Sequence, residues 1–491
     1  MISTRIRGFV ALAIVVTSAI FALTVSHLAR AEETSGVALT EVASGAPICR
    51  YGVNVTSGSN TFSELNMSPL RLGWYLNYLG TRTSSQPANI EFVPVIRLTQ
   101  TTETDYSYSP NGAALTNAIT ANLGATWLIG NEPDRRGTIQ DNVEPHVYAA
   151  AYFELYHLIK QADPTARVFA GTIVQPTPLR LRYLDMVLNS YYESQGQAMP
   201  VDGWSIHNFI LNEVSCNYDP GDCWGADIPP GIDEPFGERV SIDDNDSYDR
   251  FVERIIRFRQ WMKDRGYNDL PLYLTEYGIL MPPDYGFGPD RVNSFMNKTF
   301  DYMTSAADQT LGYSADGYRL VQKWSWYSTT DQTYNGWLFD GETKQPTATG
   351  LNFATHSAPI SIVNDLQPWK LVTSPANLYY SGTPLNIQIK ARITNSGNPA
   401  VPVGPATVRF YNGDPSQGGV KIGNDQIVNL AGCGEWVEVS VPWNGVGAGV
   451  YQIFVVVDAS NAISEINESN NTRSFSILVG TEQNFMPVVR R

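Results

Sequence analysis

Two glutamates in similar surroundings are the residues of this sequence best suited to chemistry. Glu132 ends the apolar run "ATWLIGNEP", directly after Asn131, and Glu276 ends the run "LPLYLTEYG". Two carboxyl groups that converge on one sugar can break a glycosidic bond, because one donates a proton to the leaving oxygen while the other attacks the anomeric carbon. A separation of about 5–5.5 Å predicts retention of configuration, and about 6.5–9.5 Å predicts inversion.

The elements that must position these glutamates are eight apolar, strand-like runs between about residues 48 and 328. Near-continuous apolar strands are typical of a parallel sheet that helices cover. Two of the intervening stretches, 144–163 and 247–266, have apolar residues at the three- and four-residue spacing of amphipathic helices. The runs are "ICRYGVNV", "LRLGWYLNY", "IEFVPVIRL", "ATWLIGNEP", "ARVFAGTIV", "VDGWSIHNF", "LPLYLTEYG" and "RLVQKWSWYS".

This alternation predicts an α/β fold, a (β/α)8 TIM barrel, over residues 47–358. Side chains at the carboxyl ends of barrel strands point into the active-site face. Glu132 closes the fourth run and Glu276 the seventh, so we expect them to face one another across the mouth. An open doubly wound sheet is the alternative, and it is disfavoured because no glycine-rich phosphate loop follows the first strand.

The motifs around the two glutamates resemble those of clan A of the glycoside hydrolases, which are retaining TIM-barrel enzymes. "GNEP" (130–133) is similar to the acid/base signature and "LTEYG" (274–278) to the nucleophile signature. "GWYLNY", "EFVPVI" and "LIGNEPD" most resemble the compact barrels that include endo-β-1,3-glucanases. The resemblance implies that Glu132 is the general acid/base and Glu276 the nucleophile. It also implies that Asn131 hydrogen-bonds the sugar 2-hydroxyl, an interaction that strengthens in the transition state.

A single glutamate at a strand end is more often a helix N-cap neighbour or a surface ion-pair partner. Two of them in matching contexts, on the fourth and seventh of eight runs, favour chemistry. Other residues at strand ends are predicted to bind substrate because of their position. For the histidine and the tryptophans among them, packing in the core is the alternative. The arginine near the end of the third strand is predicted to orient the nucleophile and lower its pKa. These candidates are His207, Trp324, Trp326, Arg97, Asn77 and Tyr277.

The cysteines suggest one local disulfide. Cys216 and Cys223 bracket the turn-rich "NYDPGD" within a long loop, 212–246, which is predicted to be a lid or subsite wall, with a plain surface insertion as the alternative. Cys49 and Cys433 either pair across domains or remain free. Neither paired CxxC motifs nor clustered histidines occur, so we expect no metal site in the barrel. The sequence also lacks the motifs of redox cofactors, phosphoryl transfer and Ser-His-Asp hydrolysis, so we expect no cofactor.

The pattern changes after the barrel. Residues 366–480 alternate apolar and polar with frequent turn signals, which predicts a small all-β, immunoglobulin-like sandwich before a short tail at 481–491. "VDASNAISEINESNN" (457–471) resembles the closing motif of CARDB domains, which implies an adhesion or spacer module with a cell-surface glycan as partner. Asp458, Glu465 and Glu468 suggest calcium, and turn capping is the favoured alternative.

Residues 1–31 are predicted to be a signal peptide. Arg5 and Arg7 precede an apolar run, and "ARA" offers a small-residue cleavage site, with an uncleaved anchor as the alternative. The chain of 491 residues is long enough for two domains. Its net charge of −15 argues against nucleic acid or anionic membrane as partners, because both require a basic surface.

Together these features predict a secreted or cell-surface retaining glycoside hydrolase that cleaves a polysaccharide, with β-glucan as one candidate, by double displacement. The alternative is a non-catalytic carbohydrate-binding or adhesion protein on the same barrel, because a fold alone does not establish activity.

Overall fold

The computed structural model describes residues 45–56, 61–82, 86, 89–137 and 139–481. The predicted signal peptide and all but the first residue of the predicted tail lie outside this set. The described residues belong to one compact unit. No helix among them is both long enough and apolar enough to cross a membrane.

The N-terminal part is built around a curled ten-stranded sheet with the order β3-β2-β1-β10-β9-β8-β7-β6-β4-β5. Neighbouring strands are parallel except β4 and β5, which form an antiparallel pair. The strands are β1 (Ile48–Asn54), β2 (Leu72–Leu76), β3 (Glu91–Phe92), β4 (Val95–Gln100), β5 (Tyr106–Ser109), β6 (Thr126–Ile129), β7 (Arg167–Ile173), β8 (Gly203–His207), β9 (Leu272–Tyr277) and β10 (Lys323–Trp326).

Each of the eight predicted runs coincides with a strand, and the third run covers β3 and most of β4. The hairpin strand β5 was not predicted. Both helices expected from apolar spacing are present, as α3 and α5. The helices are α1 (Thr61–Glu64), α2 (Gly112–Ala121), α3 (Pro145–Ala162), α4 (Pro178–Gln195), α5 (Tyr248–Asp264), α6 (Pro289–Ser305) and α7 (Ala348–Ser357).

Two apolar layers hold the sheet. Successive side chains of a strand point to opposite faces, so each strand contributes to both layers. The larger layer lies between the sheet and the helices and includes Phe251 and Phe258 of α5. The smaller one lies inside the curl, where Trp74, Phe169 and Tyr273 meet from β2, β7 and β9. This part of the chain is therefore a mixed α/β domain whose curled sheet has a packed interior.

The prediction of an all-β C-terminal region is confirmed. A three-stranded sheet, β11-β12-β15, and a four-stranded sheet, β14-β13-β16-β17, are both antiparallel. Their buried side chains, among them Ile389, Val408 and Val455, form one core. The strands are β11 (Leu366–Ser374), β12 (Leu385–Asn395), β13 (Val403–Asn412), β14 (Val420–Leu430), β15 (Glu435–Val446), β16 (Gly449–Val456) and β17 (Thr472–Val479).

Two disulfides are present. Cys216 and Cys223 are joined, as predicted for the local loop. Cys49, on β1, is joined to Cys433, which precedes β15, so of the two alternatives for these cysteines the pairing across domains is the one found. The N-terminal sheet and the C-terminal region are thus covalently linked.

Candidate active site

Glu132, His207 and Glu276 meet at the carboxyl end of the curled sheet. Glu132 lies three residues beyond β6, and His207 ends β8 in register with Glu276 on β9. His207 Nδ1 lies 3.0 Å from Glu132 Oε1, and Nε2 lies 3.4 Å from Glu276 Oε1. One ring nitrogen of the histidine and one oxygen of each glutamate all fall within 4.8 Å of one another. The three residues are at most 5% exposed, so little water screens their charges.

A strained turn places Glu132. The residue has a φ of 47°, in the left-handed region that non-glycine residues seldom occupy. Its backbone N–H donates to Thr172 O on β7 at 3.0 Å, which ties the turn to the next strand. Gly130 has a φ of 84°, and a Cβ there would lie 3.3 Å from both Asp141 Oδ2 and Tyr148 Cε2. Sparsely populated backbone conformations persist where the surrounding structure fixes them, often at functional sites.

Glu132 is held as an anion. Arg135 Nη1 lies 3.0 Å from Glu132 Oε2, and Arg135 Nη2 donates to Gly225 O at 2.9 Å. Burial alone would raise the pKa of Glu132, but the Arg135 guanidinium and the hydrogen bond with His207 outweigh it and lower that pKa to about 2. In this arrangement the carboxylate carries no proton at neutral pH.

Glu276 shows the opposite shift. Burial raises its pKa to about 7, and the negative charge of Glu132 contributes in the same direction. His207 lowers the pKa, as does the Tyr78 hydroxyl, whose contact falls short of full hydrogen-bond geometry. The pKa of His207 is itself raised, because the two glutamates outweigh its burial. The resting site therefore favours its proton on Glu276 or His207, whereas the clan A resemblance implies a protonated Glu132.

Two carboxylates and an imidazole could bind a metal ion or carry out acid/base and nucleophilic chemistry. A divalent cation would need carboxylate oxygens that are free of other cations. The Arg135 guanidinium already occupies Oε2 of Glu132. Carboxyl groups held this close together are also suited to proton transfer and nucleophilic attack.

Three predicted residues have other partners in this structure. Asn77 is bound within its own turn, where its amide donates to Thr81 O and accepts from Leu79 N. Arg97 pairs with Asp141 at 2.6 Å and not with Glu276. Asn131 lies beside Glu132, but its amide donates to Gln140 at 3.0 Å. Asp141 also accepts the backbone N–H of Asn131, so Arg97 and Asp141 support the turn and not the nucleophile.

Three further predicted residues face the helices instead of the site. Tyr277 packs against Phe251 of α5, and Trp326 packs edge-on against Tyr277. Trp324 packs against aromatic side chains in the same outer layer. The residue between the tryptophans, Ser325, points inward and donates to Asn54. Both tryptophans are 0% exposed, so neither provides a sugar platform at this site.

A cavity of about 220 Å³ adjoins the glutamates through Arg135. The predicted lid loop contributes Trp224 and Gly225 to its wall, and Arg180 fixes this loop by donating to the carbonyls of Ala226 and Asp227. Sequence reasoning missed both Arg135 and Tyr78 as site residues. The signal that was available for Arg135 is its position in "NEPDRR", three residues after Glu132 in a turn. The cavity is lined by Arg135, Leu211, Trp224, Gly225, Ile242, Leu280, Met281, Pro282, Tyr285 and Tyr334.

Two of the acidic residues suggested as calcium ligands accept hydrogen bonds from nearby backbone and side-chain N–H groups. Asp458 accepts the N–H groups of Ala462 and Ile463. Glu468 accepts the N–H of Glu465 and an amide N–H of Asn471. These contacts are those of the turn-capping alternative.

Comparisons with known proteins find solved structures similar to parts of this chain and one matching family model. No curated protein matches the sequence. A GH128 (subgroup II) endo-β-1,3-glucanase from Sorangium cellulosum has a TM-score of 0.38 and 15% identity, covering 63% of this chain and 98% of that one. A glucosidase from Croceicoccus marinus has a TM-score of 0.39 and 12% identity, covering 84% of this chain and 94% of that one.

A further likeness is to the CARDB domain of a Pyrococcus furiosus protein crystallised with di-metal ions. Its TM-score is 0.19 and its identity 22%, covering 24% of this chain and 88% of that one. The family model of CARDB matches residues 364–475, in agreement with the resemblance of the closing motif. The all-β C-terminal region of this chain is a CARDB domain.

Proposed function

We propose that the chain is a secreted retaining glycoside hydrolase that cleaves a polysaccharide, with Glu132 as general acid/base and Glu276 as nucleophile. The observation that carries this proposal is the approach of an oxygen of each glutamate to within 4.8 Å, deep in one site. Inverting enzymes need about 6.5–9.5 Å to admit a water between the carboxyl groups, whereas retaining enzymes need about 5–5.5 Å. The separation favours direct attack by a carboxylate.

Closure of the sheet into a (β/α)8 barrel over residues 47–358 is part of the proposal. β3 pairs with β2 and β4 pairs with β6, and only Val93 and Pro94 separate β3 from β4. One continuous segment therefore contacts both ends of the curl. Inside it, the Tyr273 ring lies 6.1 Å from Trp74 and 4.7 Å from Phe169, centroid to centroid. Contacts between distant strands across the interior support a closed ring.

The proposed reaction has two steps. In the first, ionised Glu276 attacks the anomeric carbon while protonated Glu132 gives its proton to the departing glycosidic oxygen. In the second, ionised Glu132 takes a proton from water, and the water oxygen attacks the same carbon and releases Glu276. The Tyr78 hydroxyl stabilises the Glu276 anion, because it lowers the pKa of that carboxyl.

The proposed substrate is a neutral polysaccharide, with β-glucan as the first candidate. A chain with a net charge of −15 repels polyanions, so an uncharged glycan is the better partner. Export and action outside the cytoplasm are supported by two disulfides, which persist in oxidising compartments. The proposed role of the C-terminal domain, over residues 366–480, is to hold the barrel at a cell-surface glycan.

The test compares the wild type with Glu276→Ala and Glu132→Ala on β-1,3-, β-1,4- and mixed-linkage glucans. We expect hydrolysis by the wild type, loss of turnover in Glu276→Ala, and product that NMR first detects with the anomeric configuration of the substrate. Glu193→Ala, a change at an exposed glutamate of α4, is the matched control and should keep full activity. A wild type that binds a glucan without cleaving any of them would favour the non-catalytic alternative.

A further inference from the structure

The resting site does not match the proposed first step. Glu132 must carry a proton when the glycosidic bond breaks, yet Arg135 at 3.0 Å and His207 at 3.0 Å hold it as an anion. A donor with so strong a preference for the charged form would rarely be protonated at neutral pH. Some event must weaken the ion pair before catalysis.

Arg135 is the partner of Glu132 that a ligand can reach, because it lines the neighbouring cavity. Its side chain is 20% exposed, whereas that of Glu132 is 2% exposed. The other charged groups near Glu132 are fixed. His207 is buried between the two glutamates, and Asp134 is locked to Arg180 at 2.8 Å with both side chains fully buried. Glu276 and Tyr78 complete the surroundings; neither bears a positive charge, so neither replaces the guanidinium as counter-ion.

The cavity beside Arg135 has the chemistry of a sugar subsite. Trp224, Tyr285 and Tyr334 give its wall aromatic surface, against which the C–H faces of a pyranose ring can pack. The guanidinium provides hydrogen-bond donors for hydroxyl oxygens. A volume of about 220 Å³ is below the roughly 300–1,000 Å³ of sites for larger ligands and suits a single sugar ring.

We propose that this cavity is the subsite for the leaving-group sugar and that Arg135 is a positioning residue that links its occupancy to Glu132. The inference rests on the proposed function. A sugar in the cavity takes the guanidinium hydrogen bonds that Glu132 accepts in the empty site. Glu132 then accepts the proton that the empty site holds on Glu276 or His207, so that Glu276 is ionised and Glu132 can donate the proton to the departing oxygen. When the leaving group departs, Arg135 returns and stabilises the Glu132 anion, the form needed to activate water in the second step.

The protonation of Glu132 and the binding of a sugar should affect one another, and both can be measured. If a bound sugar raises the titration midpoint of Glu132, protonation of Glu132 must strengthen sugar binding by the same factor. Each unit of midpoint shift corresponds to about tenfold in affinity. Sugar binding to the wild type should therefore weaken as pH rises through the titration midpoint of Glu132. In a variant without the guanidinium, sugar affinity should not change as Glu132 titrates.

The experiment follows the Glu132 carboxyl by NMR of the full chain labelled with ¹³C at glutamate carboxyls, with Glu132→Gln to identify its signal. The midpoint is measured in the wild type, Arg135→Met and Arg135→Lys, with and without D-glucose. We expect a higher midpoint in Arg135→Met than in the wild type and recovery toward the wild-type value in Arg135→Lys. Glucose should raise the wild-type midpoint and leave that of Arg135→Met unchanged.

Two results would overturn the proposal. One is the same midpoint in Arg135→Met, checked as folded by its thermal transition, and in the wild type. The other is a wild-type midpoint that glucose does not move, whether because glucose fails to bind or because its binding does not reach Glu132. Neither result depends on turnover, so they are distinct from failure of the glucan hydrolysis test.

Discussion

The ionisation of Glu276 sets the pH range in which the proposed nucleophile can act. Burial raises its pKa to about 7, and only the anion attacks the anomeric carbon. The anion predominates above that pKa and is lost as pH falls through it. Activity should therefore decline on the acidic side of neutrality, and any residue that stabilises the anion should extend activity to lower pH.

Tyr78→Phe tests that dependence. Its hydroxyl lowers the pKa of Glu276, so we expect its removal to shift the acidic limb of kcat/KM to higher pH. Because the contact falls short of full hydrogen-bond geometry, its loss should cost less than the about 1.5–3 kcal/mol of a full hydrogen bond to a charged group, which predicts a drop of less than about tenfold in kcat/KM below pH 7. Tyr108→Phe is the matched control, because Tyr108 donates to Glu154 at 2.8 Å, away from the site. An acidic limb unchanged by Tyr78→Phe would contradict this role.

Sequence alone predicted that the two glutamates meet because each ends an apolar run, but it could not give the direction of neighbouring side chains. Period-two reasoning fails once a chain leaves its strand. β2 ends at Leu76, and Tyr78 has a φ of 60°, so Tyr78 faces Glu276 while Asn77 turns away. The alternation of side chains on β10 predicted that both tryptophans lie on the same side of the sheet. Only the structure shows that this side faces the helices and not the interior of the curl.

At the scale of elements, apolar runs located every parallel strand because these strands are buried on both faces. β5 was missed since its "YSYS" is short and half-exposed, and its pairing with β4 is a local hairpin with little apolar signal. Closure of the curl into a barrel, which the alternation of runs predicts, depends on which strands pair at the two ends and not on the strands themselves.

The turn between β6 and Glu132 is the element most sensitive to a small change. Gly130→Ala adds a Cβ at a φ of 84° and within 3.3 Å of Asp141 and Tyr148. We expect a loss of about 1–3 kcal/mol in the free energy of unfolding, measured by denaturant titration, together with reduced kcat as Glu132 is displaced. Gly341→Ala is the control, because its Cβ would meet nothing closer than 3.8 Å. Equal stability of the two variants would refute the strained-turn account.

At the scale of the whole molecule, the contacts between the sheet and the CARDB domain join residues that are remote in sequence. The disulfide between Cys49 and Cys433 spans 384 residues, and sequence reasoning left that pairing open because spacing carries no information about it. Charges reinforce the link. Glu435 of β15 lies 2.6 Å from Arg167 and 3.3 Å from Lys323, and Lys323 is only 2% exposed.

Glu435→Gln should therefore weaken the whole structure, because Arg167 and Lys323 lose a counter-charge. We expect a loss of about 2 kcal/mol in the free energy of unfolding at pH 7. Glu438→Gln, which disturbs a surface pair with Lys390, should cost less than about 1 kcal/mol. Equal losses in the two variants would show that the Glu435 contacts contribute no more than a surface pair.

The difference in unfolding free energy between the wild type and Glu435→Gln should depend on pH if the contribution of Glu435 is ionic, and should not if it comes from packing. Burial raises the pKa of Glu435, but Arg167 and Lys323 outweigh it and lower the pKa below its ordinary value. A lowered pKa stabilises the fold above the unfolded value of about 4.3, and this stabilisation is lost as pH falls through the folded value. Calorimetry of wild type and Glu435→Gln from pH 7 into the acid range should thus give unfolding free energies that converge in acid. Curves that stay parallel would assign the loss to packing, since the charge of Glu435 would then have no part in it.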